Sequence, residues 1–145
     1  MTDYRYLVDN NVLSTLSRDQ RASSFFHTHC YIPDEVLYEA RGFPDIEELK
    51  TRRYEMTDGV LRHLILVMKT VPVTSTKLVD LYANRGNADP IIVACALDAQ
   101  SQNEDKLFGP TWVVISDDDA VRSKADEFEI ERRSGREFVL ILDAA

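Results

Sequence analysis

The chain is predicted to be an α/β protein in which a mostly parallel central sheet lies between two layers of helices. Short runs of aromatic and branched residues alternate with segments of helical spacing, the pattern of parallel strands joined by helical crossovers. Residues 112–116 are apolar enough for a strand that is buried on both faces. Residues 91–97 are apolar nearly all round, which indicates a central, buried helix.

In the first half of the chain, two predicted strands each lead directly into a helix. The predicted strands are residues 4–8 and 29–32, and the predicted helices begin near Val12 and cover about 33–42, 46–54 and 60–70. Pro33 suits the first turn of a helix, because proline lacks the backbone N–H that would be left unpaired there. The helices over 46–54 and 60–70 are interpreted as an inserted helical arm.

The second half continues the alternation of strand and helix. Its predicted elements are an edge strand at 71–73, a helix over 74–84, a helix opened by Asp89, the strand 112–116 and a helix over 120–127. Residues 138–142 fit either a last strand or a short helix entered at Gly135, and helix is favoured. No internal repeat or long linker interrupts the chain, so its 145 residues are predicted to form one domain.

Composition limits the class of protein. Neither a membrane span nor a secretory signal is found, so we expect a cytoplasmic location. Cys30 and Cys95 belong to no CxxC pair and are expected to be buried and reduced. The 17 lysines and arginines against 25 aspartates and glutamates give a net charge of −8, which disfavours general attraction to nucleic acid. Either the acids have a local purpose, or nucleic acid is not the partner.

Acidic residues stand where predicted strands meet helices. Asp9 follows the first strand, Asp117 and Asp118 follow the strand 112–116, and Asp89 opens the apolar helix. The carboxyl ends of parallel strands meet at one edge of a sheet, where ligands of such sheets bind. We therefore expect these carboxylates to converge. Converging carboxylates can hold Mg²⁺ or Mn²⁺, and the bound ion would offset the negative charge of a phosphodiester substrate.

Each acid also has a purely structural interpretation. Asp9 at a strand-to-helix corner could be only a helix cap, and Asp89 an acid favoured by the dipole of its helix. A further acid, Glu39, lies on the predicted helix over 33–42 and by spacing alone is a solvated surface residue. At least one acid of the run 117–119 is expected to cap the next helix. His27 and His29 lie near Cys30, but no second pair of soft ligands is suitably spaced for zinc, so a structural role is favoured.

Four short motifs resemble those of the PIN-domain ribonucleases, especially the short bacterial VapC-type toxins. Residues 7–14 (LVDNNVLS) resemble the opening motif, in which an aspartate ends the first strand and an asparagine or serine follows two residues later. Residues 32–42 resemble the second motif, in which a helical glutamate follows the second strand. That register selects Glu39 over Glu35.

The other two motifs lie in the second half of the chain. Residues 87–94 (NADPIIVA) resemble the third motif, an aspartate that opens an alanine-rich helix. Residues 113–118 resemble the fourth, a strand that ends in threonine or serine with an acid two positions later. This register selects Asp118, with Asp117 as a close alternative, and places Ser116 where threonine is more usual.

The resemblance implies a PIN-like three-layer α/β/α fold and an endoribonuclease that cuts RNA with Mg²⁺ or Mn²⁺. It implies that Asp9, Asp89 and Asp118 hold the metal, with Asp117 as the alternative for the last position. Glu39 would complete the site or orient a water, and Asn11 and Ser116 would hydrogen-bond to the metal ligands. For a toxin-type member, it also implies a homodimer and a cognate antitoxin protein.

Two other classes of function stay open. An inactive PIN-like module would use the same sheet edge to bind RNA or protein without cleaving it. A phospho-acceptor receiver-like domain also gathers aspartates at strand ends, but it needs a lysine on a late strand and a central aspartate strand that the sequence does not provide.

Five arginines could contact RNA phosphates, although arginines of this kind are more commonly ordinary solvated residues. They are Arg18, Arg21, Arg41, Arg52 and Arg53.

Overall fold

The predicted α/β class is confirmed by a computed structural model, which describes residues 3–71, 89–104 and 106–145. A five-stranded sheet of order β3-β2-β1-β4-β5 forms the centre, and every adjacent pair of strands is parallel. The strands are β1 (Tyr4–Val8), β2 (Cys30–Pro33), β3 (Arg53–Tyr54), β4 (Thr111–Ile115) and β5 (Glu131–Arg133).

Helices cover both faces of this sheet. Those of the first half are α1 (Asn10–Leu13), α2 (Arg18–Arg21), α3 (Ser24–His29), α4 (Asp34–Glu39), α5 (Ile46–Leu49) and α6 (Asp58–Lys69), with a short 3-10 turn at Lys50–Arg52. Those of the second half are α7 (Asp89–Ser101), α8 (Asp119–Glu127) and α9 (Gly135–Ala144). None of the helices in the described ranges is both long and apolar enough to cross a bilayer.

Two hydrophobic cores lie on opposite faces of the sheet. Successive side chains of a strand point to opposite faces, so Tyr6 and Val8 enter one core while Leu7 enters the other. The first core is shared with helices that include α1, α4 and α9, and the second with α6, α7 and α8. This arrangement accounts for the nearly continuous apolar character of β1 and β4, whose ends are buried on both faces.

Most of the long elements agree with the sequence predictions. The strands over 4–8 and 112–116 and the helix over 120–127 are confirmed to within one residue at each end. The tail is a helix, α9, entered at Gly135 as favoured. The apolar helix α7 is buried through its middle, and both cysteines are free and buried. The predicted strand at 71–73 and helix over 74–84 lie outside the described residues, apart from Val71.

The helical arm predicted over 46–54 and 60–70 is wrong in two respects. The first helix ends early, and Arg53 and Tyr54 pair with Ile32 and Pro33 of β2 as the edge strand β3. In addition, α6 packs against α7 and belongs to the second core. Its buried face consists of Val60 and Val67, both at 0% exposure.

The second strand, β2, begins one residue later than predicted, because His29 is the last residue of α3. The His29 ring packs on the Phe25 ring with centroids 4.8 Å apart, and its Nδ1 lies 3.8 Å from Asp3 Oδ1. These contacts fit the structural role favoured for this histidine. Within the ranges that the structure covers, no group of three ligands that includes it could hold a metal ion.

Gly59, in the first turn of α6, is a position where a side chain cannot fit without movement. A Cβ there would overlap Oδ1 of the buried Asp98. The other oxygen of this carboxylate, Oδ2, accepts hydrogen bonds from Tyr54 Oη at 2.7 Å and Gln102 Nε2 at 3.1 Å, which hold the side chain in place. We expect Gly59→Ala to lower the free energy of unfolding by about 1–3 kcal/mol, measured by urea denaturation. Gly42→Ala is the control, because nothing lies within 4 Å of its Cβ position. Equal stability of the two variants would contradict this.

Candidate metal-binding edge of the sheet

The pairing of β1 with β4 determines where the site lies. These two central strands pair in register from Tyr4 with Thr111 to Val8 with Ile115, so the residues that follow them stand side by side. The Asp9 N–H continues the ladder and donates to the Ile115 carbonyl at 3.0 Å. Asp9 and Ser116 therefore leave the sheet at the same edge, as the parallel topology predicts. We call this the carboxylate edge, and its described members are Asp9, Asn11, Ser116, Asp117 and Asp118.

Asp9 is the buried centre of the carboxylate edge, with only 2% of its surface exposed. Its Oδ1 accepts from the Asn10 N–H at 2.8 Å, which caps α1. Its Oδ2 accepts from the Ser116 hydroxyl at 2.8 Å and from Asn11 Nδ2 at 3.4 Å. Within the described ranges these donors are all neutral. Asp9 is thus a helix cap, as the structural interpretation expected. Among the described residues, no cationic side chain forms an ion pair with its carboxylate.

The electrostatics of Asp9 follow from this environment. Burial raises the pKa of the Asp9 carboxyl, because low-dielectric surroundings disfavour the charged form. The hydrogen bonds from Ser116 and Asn10 offset part of that rise, whereas the negative charges of Asp118 and Asp117 add to it. Carboxylates are thus close enough at this edge to repel one another.

Asp117 and Asp118 both interact with the starts of helices. Asp118 Oδ1 accepts from the N–H groups of Ala120 at 2.8 Å and Val121 at 3.4 Å, and so caps α8. Asp117 Oδ1 accepts from the Gly135 N–H at 2.8 Å, at the start of α9. The expectation that an acid of this run caps the next helix is confirmed for Asp118. The contact between Asp117 and Gly135 has no signal in the sequence, because the two residues are 18 positions apart.

Ser116 and Asn11 join these acids into one network. The Ser116 hydroxyl, which donates to Asp9, accepts from the Asp118 N–H at 3.1 Å and from Asn11 Nδ2 at 3.4 Å. The Asn11 amide oxygen accepts from the Asp117 N–H at 3.3 Å. Ser116 is completely buried, so these hydrogen bonds hold Asp9 and Asp118 in fixed relation to each other.

Two further predicted site residues, Glu39 and Asp89, lie on helices α4 and α7. Glu39 is the last residue of α4 and is exposed, and α4 packs against α1. Asp89 begins α7, but its side chain lies outside the described residues. At the opposite end of α7, Gln100 Oε1 accepts from the Trp112 N–H at the start of β4, so α7 begins toward the carboxylate edge. Within 3–71, 90–104 and 106–145, no three Asp, Glu, His or Cys side chains are close enough to share a metal ion.

The oxygens of the carboxylate edge suit a hard divalent cation. Asp9 brings a buried carboxylate with neutral donors around it, and the charges of Asp117 and Asp118 act on it unfavourably. The amide oxygen of the neighbouring Asn10 is buried and accepts no hydrogen bond from the described residues. A cation would relieve this excess of negative charge and of unpaired oxygen, and Mg²⁺ and Mn²⁺ prefer such ligands.

The five arginines considered for RNA contact fall into different classes. Arg21 is buried and forms a bidentate ion pair with Asp45, so it is not available to a phosphate. Arg52 lies over the Tyr31 ring and donates to the Cys30 carbonyl. Arg18 is exposed on α2, and Arg41 and Arg53 line a common groove that is taken up below.

No protein-family model matches the chain, and no curated protein sequence is significantly similar to it. The resemblance to the PIN-domain family therefore rests on the four motifs and stays a prediction.

Removing the Ser116 hydroxyl tests the network. In Ser116→Ala, the Asp118 N–H and the Asn11 amide lose an acceptor inside the protein, so we expect the free energy of unfolding to fall by about 1–3 kcal/mol. The pKa of Asp9 should rise further, because a hydrogen bond that favours its charged form is lost. Ser14→Ala is the control, since its hydroxyl makes one exposed bond to the Asn11 carbonyl. Equal urea midpoints for both variants would argue against the network.

Proposed function

We propose that the protein is a metal-dependent endoribonuclease that hydrolyses RNA phosphodiester bonds. The observation that carries this proposal is the buried Asp9 carboxylate, surrounded by neutral donors and close to the charges of Asp117 and Asp118. A buried carboxylate in that setting is costly for a purely structural residue, and functional sites are where such costs concentrate. The motif resemblance supplies the class of substrate.

In this proposal, Asp9, Asp89 and Asp118 would hold Mg²⁺ or Mn²⁺, with Asp117 as the alternative to Asp118. Ser116 and Asn11 hold the Asp9 carboxylate in place through Oδ2. Glu39 would complete the site or orient a water. A divalent cation bound here would stabilise the negative charge that develops on the scissile phosphate. It would also lower the pKa of the attacking water.

The motif resemblance also supports a more specific role, as the cytoplasmic toxin of a toxin–antitoxin pair that acts as a homodimer. A cognate antitoxin would then cover the acidic pocket. The role would be supported if a neighbouring reading frame encodes a small DNA-binding protein and if that protein co-purifies with this chain. If no such partner is encoded nearby, the toxin role is disfavoured. The ribonuclease proposal is unaffected by that result.

One observation favours a second candidate, a catalytically inactive PIN-like module that binds RNA or protein. Asp117 and Asp118 each bond to the start of a helix, which uses part of their capacity as acceptors. An inactive module would bind its partner at the same edge without turnover.

Cleavage of a mixed RNA pool distinguishes the two candidates. We expect cutting with Mn²⁺, none with chelator, and a loss of at least about a hundredfold in Asp9→Asn and Asp89→Asn, because each removes a charged ligand. Asp143→Asn is the matched control, an exposed acid on α9 whose described partner is Gln20. Cutting that persists in chelator, or full activity in both site variants, would overturn the proposal. RNA binding without cutting would favour the inactive module.

A further inference from the structure

A basic groove lies on the β2 and β3 side of the sheet. It has a volume of about 410 Å³, and its lining residues are Asp34, Leu37, Tyr38, Arg41, Lys50 and Arg53. Three of them are cations and one is an anion, in a chain whose net charge is −8. The lining alone is net positive, but Lys50 and Arg53 also pair with Glu47 and Glu55, which lie outside it, so Arg41 is the cation best placed to bind an anionic ligand.

The groove also presents an aromatic ring to solvent. Tyr38, on α4, is 63% exposed, whereas tyrosine side chains are more often partly buried. The Arg41 guanidinium lies over this ring, 4.2 Å from its centroid, and donates to the Tyr38 carbonyl at 2.8 Å. Arg41 thus restrains the ring and covers one side of it, while much of the remaining ring surface stays open to a stacking partner.

The other two cations of the groove are paired with carboxylates, and the pair of Lys50 is the more exposed. Lys50 pairs at 3.0 Å with Glu47, whose side chain is 82% exposed, and an exposed pair of this kind exchanges readily for a phosphate. Arg53 pairs with Asp34, and Asp34 also accepts from the Met56 N–H at 3.0 Å. This pairing holds Arg53 beside the end of β2. No ion pair joins Arg41 to another described residue.

The position of the groove connects it with the carboxylate edge. Asp34 directly follows β2, the neighbour of β1, so the groove begins at the same edge of the sheet as Asp9. Helix α4 carries Tyr38 next to Glu39, the glutamate assigned to the proposed active site. A strand of substrate lying at the carboxylate edge can therefore continue across α4 into the groove.

We propose that the basic groove binds unpaired RNA beside the scissile bond, with one base stacked on Tyr38 and neighbouring phosphates held by Arg41 and Lys50. The inference rests on the proposed ribonuclease function and assigns a binding surface to the substrate strand beside the cleavage site. Aromatic rings that stack bases inside a positive groove are the common device of proteins that bind single strands. A paired base is not available for such stacking, so the groove discriminates against duplex RNA.

The test is binding of a fluorescein-labelled twelve-nucleotide polyuridylate, measured by anisotropy in EDTA so that no cleavage occurs. We expect Tyr38→Ala to weaken binding by about five- to a hundredfold, and Tyr38→Phe to retain it, because stacking needs the ring and not the hydroxyl. Arg41→Gln should lower the slope of log affinity against log salt by about 0.7, the loss of one phosphate contact. Arg62→Gln, an exposed arginine on α6, should bind like the wild type.

Several outcomes would overturn the assignment. They are unchanged binding by Tyr38→Ala, equal affinity for a duplex of the same length, or no binding by the wild type. Equal competition by polyglutamate and by polyuridylate would instead indicate an acidic protein partner. If the groove variants behave as expected but the wild type never cleaves RNA with Mn²⁺, the groove stands and the ribonuclease proposal fails. If the wild type cleaves RNA and Tyr38→Ala keeps both Kd and KM, the ribonuclease proposal stands and the groove assignment fails.

Discussion

Asp9→Asn is expected to be more stable than the wild-type chain when no divalent cation is present. The substitution removes a buried charge that meets only neutral donors and the repulsion of nearby acids among the described residues. We expect a stabilisation of about 1 kcal/mol, or about 2–4 °C in Tm, from the removal of this buried charge. Saturating Mn²⁺ should stabilise the wild type by about 2–3 kcal/mol at a hundredfold excess over Kd and leave Asp9→Asn unchanged.

The pH dependence of stability has a defined sign. The folded-state pKa of Asp9 lies above its ordinary value of 3.8, so the folded chain binds more protons than the unfolded chain between those two pKa values. The contribution of Asp9 to stability is therefore most favourable at acid pH and declines as pH rises through that interval. Asp9→Asn should lack this decline in thermal melts with EDTA. Asp143→Asn should melt like the wild type, and a metal-free Tm for Asp9→Asn well below that of the wild type would contradict the account.

Arg21→Ala is expected to lower the free energy of unfolding by about 3 kcal/mol, the largest loss of stability predicted here. Arg21 donates from Nε and Nη2 to the two oxygens of Asp45, both at 2.9 Å, and from Nη1 to the Leu16 carbonyl at 2.7 Å. Its guanidinium also lies 4.8 Å from the centroid of the Phe43 ring. Without it, the Asp45 carboxylate, whose side chain is 2% exposed, stays buried and unpaired.

Urea denaturation at two pH values measures this effect. The hydrogen bonds from Arg21 lower the pKa of Asp45, so the stability it contributes is present above the ordinary pKa of 3.8 and is lost as pH falls through the lowered value. The difference between Arg21→Ala and wild type should therefore be larger at pH 7 than near pH 3. Arg18→Ala, an exposed arginine on the same helix α2, should change stability by less than about 0.5 kcal/mol. Similar losses in the two variants would contradict the assignment.

The parts of the fold that depend on local pattern were predictable from sequence. The strands β1 and β4 and the helix α7 carry long apolar runs, and their pattern alone defines them. By contrast, β5 consists of three charged residues, Glu131–Arg133, and becomes a strand only because it pairs with β4. The two-residue strand β3 likewise depends on its pairing with β2 and on Arg52 contacts with the sheet. Such edge strands are determined by tertiary contacts that short-range pattern does not contain.

The candidate site shows the same division. Parallel topology was enough to predict that Asp9 and Ser116 leave the sheet at one edge, because both follow buried neighbouring strands. The division of roles between Asp117 and Asp118 was not predictable, since it depends on the start of α9 meeting Asp117. Tyr38 was also missed as a binding residue. An exposed tyrosine on a helix has no distinctive spacing, and its significance comes from Arg41 and Lys50 lying in the same groove.

Direct titration of Mn²⁺ into the metal-free chain, followed by calorimetry at pH 7, is the measurement closest to the central claim. We predict saturable binding by the wild type and by Asp143→Asn, and a loss of at least about tenfold in affinity for Asp9→Asn and Asp118→Asn. Asparagine still caps a helix, so Asp118→Asn keeps α8 intact and changes only the charge. A smaller loss is predicted for Asp117→Asn. Wild-type chain that binds no Mn²⁺, or an Asp9→Asn variant that binds it equally well, would contradict the assignment of a metal site to the carboxylate edge.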